Sequence, residues 1–392
     1  MRKNKKRNRN ILYFDNAATS WPKPEATVRA VDSCLREMGG SPGRSGHSLS
    51  IDAGRVIFNA REALAGLLGI DDPLRIVLTK NATEALNIAV VGLLKPGYHV
   101  ITSSMEHNSV MRPLRAMEAN GVELTVIPCS VAGELDPGAV VPAIKKNTKA
   151  IFLTHASNVT GTIIPVADIG RIAREHGLVF CVDAAQTAGA LPIDIGAMDI
   201  DLLAFTGHKS LFGPQGTGGL YIRKDLEQVI SPLMRGGTGS RSEYEEQPNF
   251  MPDKFESGTP NTSGYAGLTA GIDFILSQGL NTINAYEKSL TKLFLQGIGA
   301  VDKVTIYGRK DASRRIAVVS FNIQGIDPAK AALELDERFG IMSRSGIHCA
   351  PSAHKTIGTF PVGTVRFSFS YFNTVEEINQ AVDAVRSLAN QK

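Results

Sequence analysis

Between Asp71 and Lys224 the chain alternates short, nearly continuous apolar runs with amphipathic segments. The runs 74-LRIVLT-79, 99-HVITSS-104, 122-VELTVIP-128, 149-KAIFLTH-155, 178-LVFCVD-183, 200-IDLLAF-205 and 218-GGLYIR-223 predict strands. Several are apolar almost throughout, as strands covered on both faces must be. The segments 82-ATEALNIAVVGLL-94 and 166-VADIGRIAREHG-177 carry the helical period and lie between strands. This order predicts an α/β fold with a mainly parallel, doubly wound sheet, whose ligands bind at the carboxyl ends of the strands.

The pattern changes after that. Residues 231–262, with 235-RGGTGS-240 and 257-SGTPNTS-263, read as an irregular excursion toward a partner subunit. From about Ser263 a helix is followed by strands at 316-IAVVSFNI-323 and 364-TVRFSFSYF-372 and a closing helix at 374–390. The expected domains are therefore a large one over 11–262 and a smaller α+β one over 263–392, with the first residues of the chain packing on the small domain.

Charge alters little. The formal net charge is +4, but MRKNKKRNRN at the start holds six Lys or Arg and no acid, so the remainder stands at −2. That excludes a nucleic-acid groove in the body. Residues 1–10 read as a solvated, disordered tail, or alternatively as a contact for an anion, RNA or a membrane surface. No apolar segment suits a secretory signal or a membrane span. Cys34, Cys129, Cys181 and Cys349 are scattered without metal-ligand spacing, which predicts a disulfide-free, cytoplasmic protein without a bound metal.

The candidate chemistry sits at strand ends. Lys209 follows an apolar strand in 205-FTGHKSLFGPQGTGG-219, where a lysine needs a partner or a task. Such a lysine forms a Schiff base with a carbonyl compound or cofactor. Pyridoxal phosphate (PLP) would further require an acid at its pyridine nitrogen, a phosphate cradle and a group on the ring face. Asp183 ends a strand and supplies the acid, unless it only caps the next helix. Ala82 and Thr83 open a helix and offer an anion site, as an ordinary cap also would. His107 follows a strand and would lie on the ring, or be a plain loop residue.

The stretches 13-YFDNAATSWPKP-24, 79-TKNATEALN-87, 155-HASNVTGTIIPV-166, 182-VDAAQTAG-189, 205-FTGHKSLFGPQGTGGLY-221, 256-ESGTPN-261, 343-SRSGIHCAP-351 and 364-TVRFSFSYFNT-374 resemble, in order, the class V aminotransferase family of fold-type I PLP enzymes and its cysteine desulfurase branch. The resemblance implies that Lys209 holds PLP and moves the substrate α-proton. It implies that Asp183 pairs the pyridine nitrogen, Gln186 the phenolic oxygen, and that His107 stacks on the ring. Thr83, Thr206 and His208 would hold the phosphate, with Thr259 reaching in from the second subunit of a homodimer. Asn158 would lie near ring and substrate. Arg366 would clamp the substrate carboxylate; by position alone it reads as an exposed edge charge. Arg44 and His47 match a segment near the site less closely.

The stretch 343-SRSGIHCAPSAHKTIGTFPVG-363 bears on the reaction. Cys349 reads as a nucleophile in a mobile, partly exposed loop, with cationic Arg344 and His348 favouring its thiolate and Arg344 near the substrate. A buried, inert cysteine is the bland alternative and suits Cys34 and Cys181 better. The resemblance then implies release of alanine from L-cysteine, with sulfur held as a persulfide on Cys349 for an acceptor protein. Ile347 departs from the Arg-x-Gly-His-His-Cys loop of the nearer branch. The alternatives are a lyase acting on L-selenocysteine, a class V aminotransferase acting on another amino acid, and a binding protein working through the tail.

Overall fold

The computed structural model describes residues 11–43 and 45–391. The chain opens with β1 (Leu12–Tyr13), α1 (Glu25–Glu37) and α2 (Ser48–Leu68). Seven strands follow: β2 (Ile76–Thr79), β3 (His99–Ser103), β4 (Glu123–Ile127), β5 (Thr148–Thr154), β6 (Val179–Asp183), β7 (Leu202–Thr206) and β8 (Gly218–Ile222). Between them run α3 (Ala82–Leu93), α4 (Asn108–Ala119) and α5 (Val166–Glu175). The strands form one sheet in the order β2-β8-β7-β6-β5-β3-β4, parallel except for β8, which is antiparallel to both neighbours. The predicted doubly wound sheet is the observed one.

Strand alternation divides the interior. Ile151, Leu153, Phe180 and Val182 enter one core, with Leu64, Leu68 and Ile272. Ala150, Phe152, Val179 and Cys181 enter the opposite core, with Leu86, Val90 and Leu114. The side-chain period of two sends successive residues to opposite faces, and helices cover both. Cys181 is thus a core residue, and burial pushes its thiol well above the usual range.

The chain continues through α6 (Thr262–Gln278), α7 (Leu280–Gly299), β9 (Val304–Tyr307), β10 (Val318–Ile323), α8 (Pro328–Phe339), β11 (Ile341–Met342), β12 (Arg344–Gly346), α9 (Pro351–Thr356), β13 (Thr364–Ser368) and α10 (Val375–Ala389). A second sheet, antiparallel in the order β12-β13-β10-β9, carries a core in which Phe294, Phe321 and Phe367 meet. Helix α6 buries Tyr265, Leu268 and Ile272 in the core of the large sheet and lies against α1 and α2. The large-sheet core thus takes in α6 and the first turn of α7 through Ile283, while α7 from Leu290 onward packs in the core of the second sheet. The reason is that α6 is apolar toward the sheet, while the change in element order begins only after it. β1 pairs with β11, tying the first described residues to the small domain.

Residues 229–261 hold no helix or strand. The segment is nonetheless anchored: both carboxylate oxygens of Glu256 receive Arg61, at 2.8 and 2.6 Å, and Oε1 also accepts the Leu78 N–H. Among the described residues no helix is long and apolar enough to cross a membrane. The basic tail and Arg44 lie outside the described residues.

Candidate active site

The carboxyl ends of β2, β3, β5, β6 and β7 border a cavity of about 270 Å³. It is lined by Ala82, Thr83, His107, Asn158, Asp183, Gln186, Thr206, His208 and Lys209, so nine predicted residues converge on one space. Asn81 and Ser109 line it as well and were not predicted. Thr259 does not; it is exposed and borders a separate cleft with Pro42, Thr79 and Asn261. His47 caps α2, its Nδ1 accepting from the Ser50 N–H at 3.2 Å, and also stays out of this cavity.

Lys209 stands on the turn after β7. Its carbonyl accepts from Ser20 Oγ at 2.8 Å, and the neighbouring His208 carbonyl accepts from Lys23 Nζ at 2.7 Å and Thr19 Oγ1 at 3.1 Å. The segment 13–24 therefore holds the lysine turn from below. Burial, opposed by the Asp183 charge, brings the Lys209 amine down to about 8. The following glycines answer to space. A Cβ on Gly219 would meet the Phe205 ring at 2.3 Å, and one on Gly218 the Asn81 backbone at 2.8 Å. Strand β8 can then lie close beneath the α3 turn.

Asp183 ends β6 and its Oδ1 accepts the Ala185 N–H at 2.9 Å. Burial raises its pKa and the nearby Lys209 lowers it, so the carboxylate calls for a cation. At α3, Asn81 Oδ1 accepts the Glu84 N–H, leaving Ala82 and Thr83 in the unpaired first turn at the cavity. Thr83 Oγ1 lies 2.7 Å from Ser109 Oγ. His208 Nδ1 is buried with no hydrogen-bond partner.

His107 caps α4. Its Nδ1 accepts the Ser109 N–H at 3.1 Å, which places the proton of the neutral ring on Nε2. Burial and the cations Lys209, Arg344 and Arg366 hold it down at about 4, so the ring is uncharged at neutral pH. Ser109 is legible in sequence only as a possible turn hydroxyl two residues beyond His107; its link to Thr83 needs the two helix starts to meet.

Arg366 lies in β13 between β12 and β10 and is 1% exposed, which corrects the edge-charge reading. Its Nη2 bonds Asp15 Oδ1 at 2.7 Å and Nη1 the Asn158 carbonyl at 3.1 Å, while buried Nε has no partner. Gln186 Nε2 donates to the Ala17 carbonyl at 3.1 Å.

Of the four cysteines Cys349 is the exposed one. Its carbonyl accepts the Asn108 N–H at 2.8 Å, and the His348 carbonyl accepts Asn158 Nδ2 at 2.7 Å, which docks the segment beside the cavity. Arg344 Nη2 lies 3.7 Å from Cys349 Sγ. The expected cationic role of His348 does not hold. Its ring is buried, faces His354 and the Arg344 carbonyl, and burial holds it down at about 2, so it is neutral.

Comparison with known proteins agrees with this geometry. The profile of the family "Aminotransferase class-V" matches residues 12–381. The chain belongs to the class V aminotransferase family. Among its relatives in this family, a "Probable cysteine desulfurase" of Methanothermobacter thermautotrophicus is 37% identical over 386 residues, covering 97% of this chain and 95% of that protein. A "Cysteine desulfurase" of Salmonella dublin is 32% identical over 380 residues, covering 95% and 92%. The apo structure of a cysteine desulfurase from Thermococcus onnurineus NA1 superimposes with a TM-score of 0.91 at 35% identity, covering 97% of this chain and 94% of that one. Class V aminotransferases are PLP enzymes.

Proposed function

We propose that this protein is a PLP-dependent cysteine desulfurase that converts L-cysteine to L-alanine and holds the sulfur as a persulfide on Cys349. The observation that carries this reading is the exposed Cys349, docked through Asn108 and Asn158 beside the cavity that holds Lys209. An aminotransferase acting elsewhere has no use for such a thiol.

The cavity residues fit the cofactor. Asp183 offers a buried carboxylate in want of a cation, which a protonated pyridine nitrogen supplies. The first turn of α3, with Thr83, Thr206 and the partnerless His208 Nδ1, suits a phosphate. When bound, PLP supplies an electron sink for the carbon from which a proton is taken. Lys209, with its amine brought down to about 8, holds the cofactor and carries the α-proton on Nζ. His107 and Gln186, both lining the cavity, would help to hold the cofactor, and uncharged His107 would not oppose a positive pyridine nitrogen. Arg366, joined to cavity-lining Asn158 through that residue's carbonyl, and Asn158 would hold the substrate carboxylate. Cys349 sulfur bonds to the substrate sulfur, the substrate Cβ–S bond breaks, and the electron pair left on carbon takes a proton. Alanine leaves and Cys349 carries the persulfide. Its exposure suits delivery to an acceptor protein.

Thr259 completes the phosphate site from a second subunit, a role supported by its exposure and its absence from its own chain's cavity. The four free cysteines support a reducing, cytoplasmic setting.

The test is alanine release from L-cysteine by the PLP-loaded protein beside Cys349→Ala. Release by the wild type alone is expected. Equal release by both would remove the thiol's role and favour a lyase, including one acting on L-selenocysteine.

A further inference from the structure

Behind Cys349 lies a chain of polar groups that the reaction does not use directly. His348 Nε2 is 3.3 Å from the Arg344 carbonyl, His348 Nδ1 is 3.3 Å from His354 Nε2, and His354 Nδ1 is 2.7 Å from Thr359 Oγ1. All three side chains are buried, His354 completely. The carbonyl can only accept, so His348 carries its proton on Nε2. In a neutral ring Nδ1 then accepts, and it takes the His354 Nε2–H. His354 Nδ1 is left to accept the Thr359 hydroxyl. Every member is satisfied in this one direction. Burial holds His348 at about 2 and His354 at about 4, which keeps both rings neutral as the chain requires.

The chain ends at a strained place. His348 and Cys349 both adopt left-handed backbone, with φ of 48° and 57°. Non-glycine residues hold that conformation only where the surroundings over-determine it. The Asn108 and Asn158 bonds fix the two carbonyls of the pair. At one end of the arch that carries the cysteine, Arg344 is held in β12 by its pairing with β13; at the other, the His348 ring is held between the Arg344 carbonyl and His354 of α9.

We infer that His354 is a positioning residue for Cys349, holding the 344–349 arch through His348 so that the thiol meets the substrate sulfur, an inference that rests on the reading of Cys349 as sulfur acceptor. It touches neither substrate nor cofactor. It acts through His348, and Thr359 sets its tautomer.

The experiment uses PLP-loaded wild type, His354→Ala, His354→Gln and Thr359→Val. Stopped-flow absorbance reads engagement of L-cysteine at the cofactor, and quenched samples read alanine from a single turnover. His354→Ala is expected to engage L-cysteine as the wild type does, yet release alanine roughly tenfold to a hundredfold more slowly, the cost of misplacing a reacting group by about 1 Å. His354→Gln, whose Nε2 can donate to His348 Nδ1, is expected to recover most of the rate, and Thr359→Val to fall between. Wild-type alanine release by His354→Ala overturns the inference. So does a loss in all three variants, glutamine included, that matches an equal loss of L-cysteine engagement. Hydrogen exchange of residues 344–350 gives a readout without turnover: it is expected to speed up in His354→Ala and return in His354→Gln, and unchanged exchange in His354→Ala overturns the placement. Equal alanine from wild type and Cys349→Ala would instead remove the sulfur-acceptor reading, leaving the exchange result to judge placement by itself.

Discussion

Arg366 Nη2 bonds Asp15 Oδ1 at 2.7 Å, joining a buried strand of the small domain to the first segment of the chain. The same segment supports the lysine turn through Thr19, Ser20 and Lys23. One stretch of sequence thus positions both Lys209 and Arg366, the base and the carboxylate clamp of the proposed reaction.

Removing the Asp15 charge leaves the Arg366 guanidinium buried without a counter-ion. Asp15→Asn is expected to cost about 3 kcal/mol of stability, read from urea unfolding, because an uncompensated buried charge is expensive. Arg366→Lys loses the planar fork and is expected to raise KM for L-cysteine at least roughly tenfold, the worth of a charge-assisted hydrogen bond.

In the proposed reaction Lys209→Ala removes both the covalent tether and the proton carrier. Alanine release is expected to fall at least roughly 1,000-fold, and borohydride should no longer fix PLP to the peptide containing position 209. Retained turnover would mean that another group moves the proton.

Thr259→Ala is expected to weaken PLP binding roughly tenfold, as loss of one hydrogen bond to a charged group does. If the residue serves the partner's site, mixing and re-associating Lys209→Ala with Thr259→Ala subunits should restore PLP binding and activity at one site per mixed dimer. Complete lack of rescue would place Thr259 in its own subunit's chemistry or outside it.

Glu106, next to His107 in the chain, is fully buried, accepting from Ser103 Oγ at 2.5 Å and the Thr154 N–H at 2.8 Å, and burial raises it from 4.5 to about 8. Between those values the folded state binds the extra proton, so stability falls as pH rises. The contribution is fully present below about 4.5 and is lost as pH passes through about 8. Glu106→Gln cannot titrate and should gain on the wild type by a few kcal/mol between pH 5 and pH 8.5, seen in paired urea midpoints. A constant difference across that range would show that the acid is ionised throughout.

Much of the site was legible because its residues follow apolar runs. Asp183 and Lys209 each end or follow a strand whose period is plain, and strand ends of a parallel sheet share one edge. His348 was misjudged because a histidine in a Gly- and Pro-rich stretch reads as solvated, whereas it is buried against His354 of α9. Arg366 was open to misreading for the same reason: nothing local says that β12 covers β13. Asp15 and His354 carried no local signal for these contacts, and Ser109 read only as a possible turn hydroxyl.

The sequence by itself determined the doubly wound sheet, the strand-end placement of Asp183 and Lys209, and an irregular segment at 231–262. Those follow from hydrophobic period and chain direction, which are local. Tertiary structure alone decided that α6 belongs to the large core, that Arg366 meets Asp15 across more than three hundred residues, and that Cys349 is docked by Asn108, Asn158 and a neutral His348. Burial, charge state and pairing depend on what distant segments bring to a side chain, and that is settled only when the layers close.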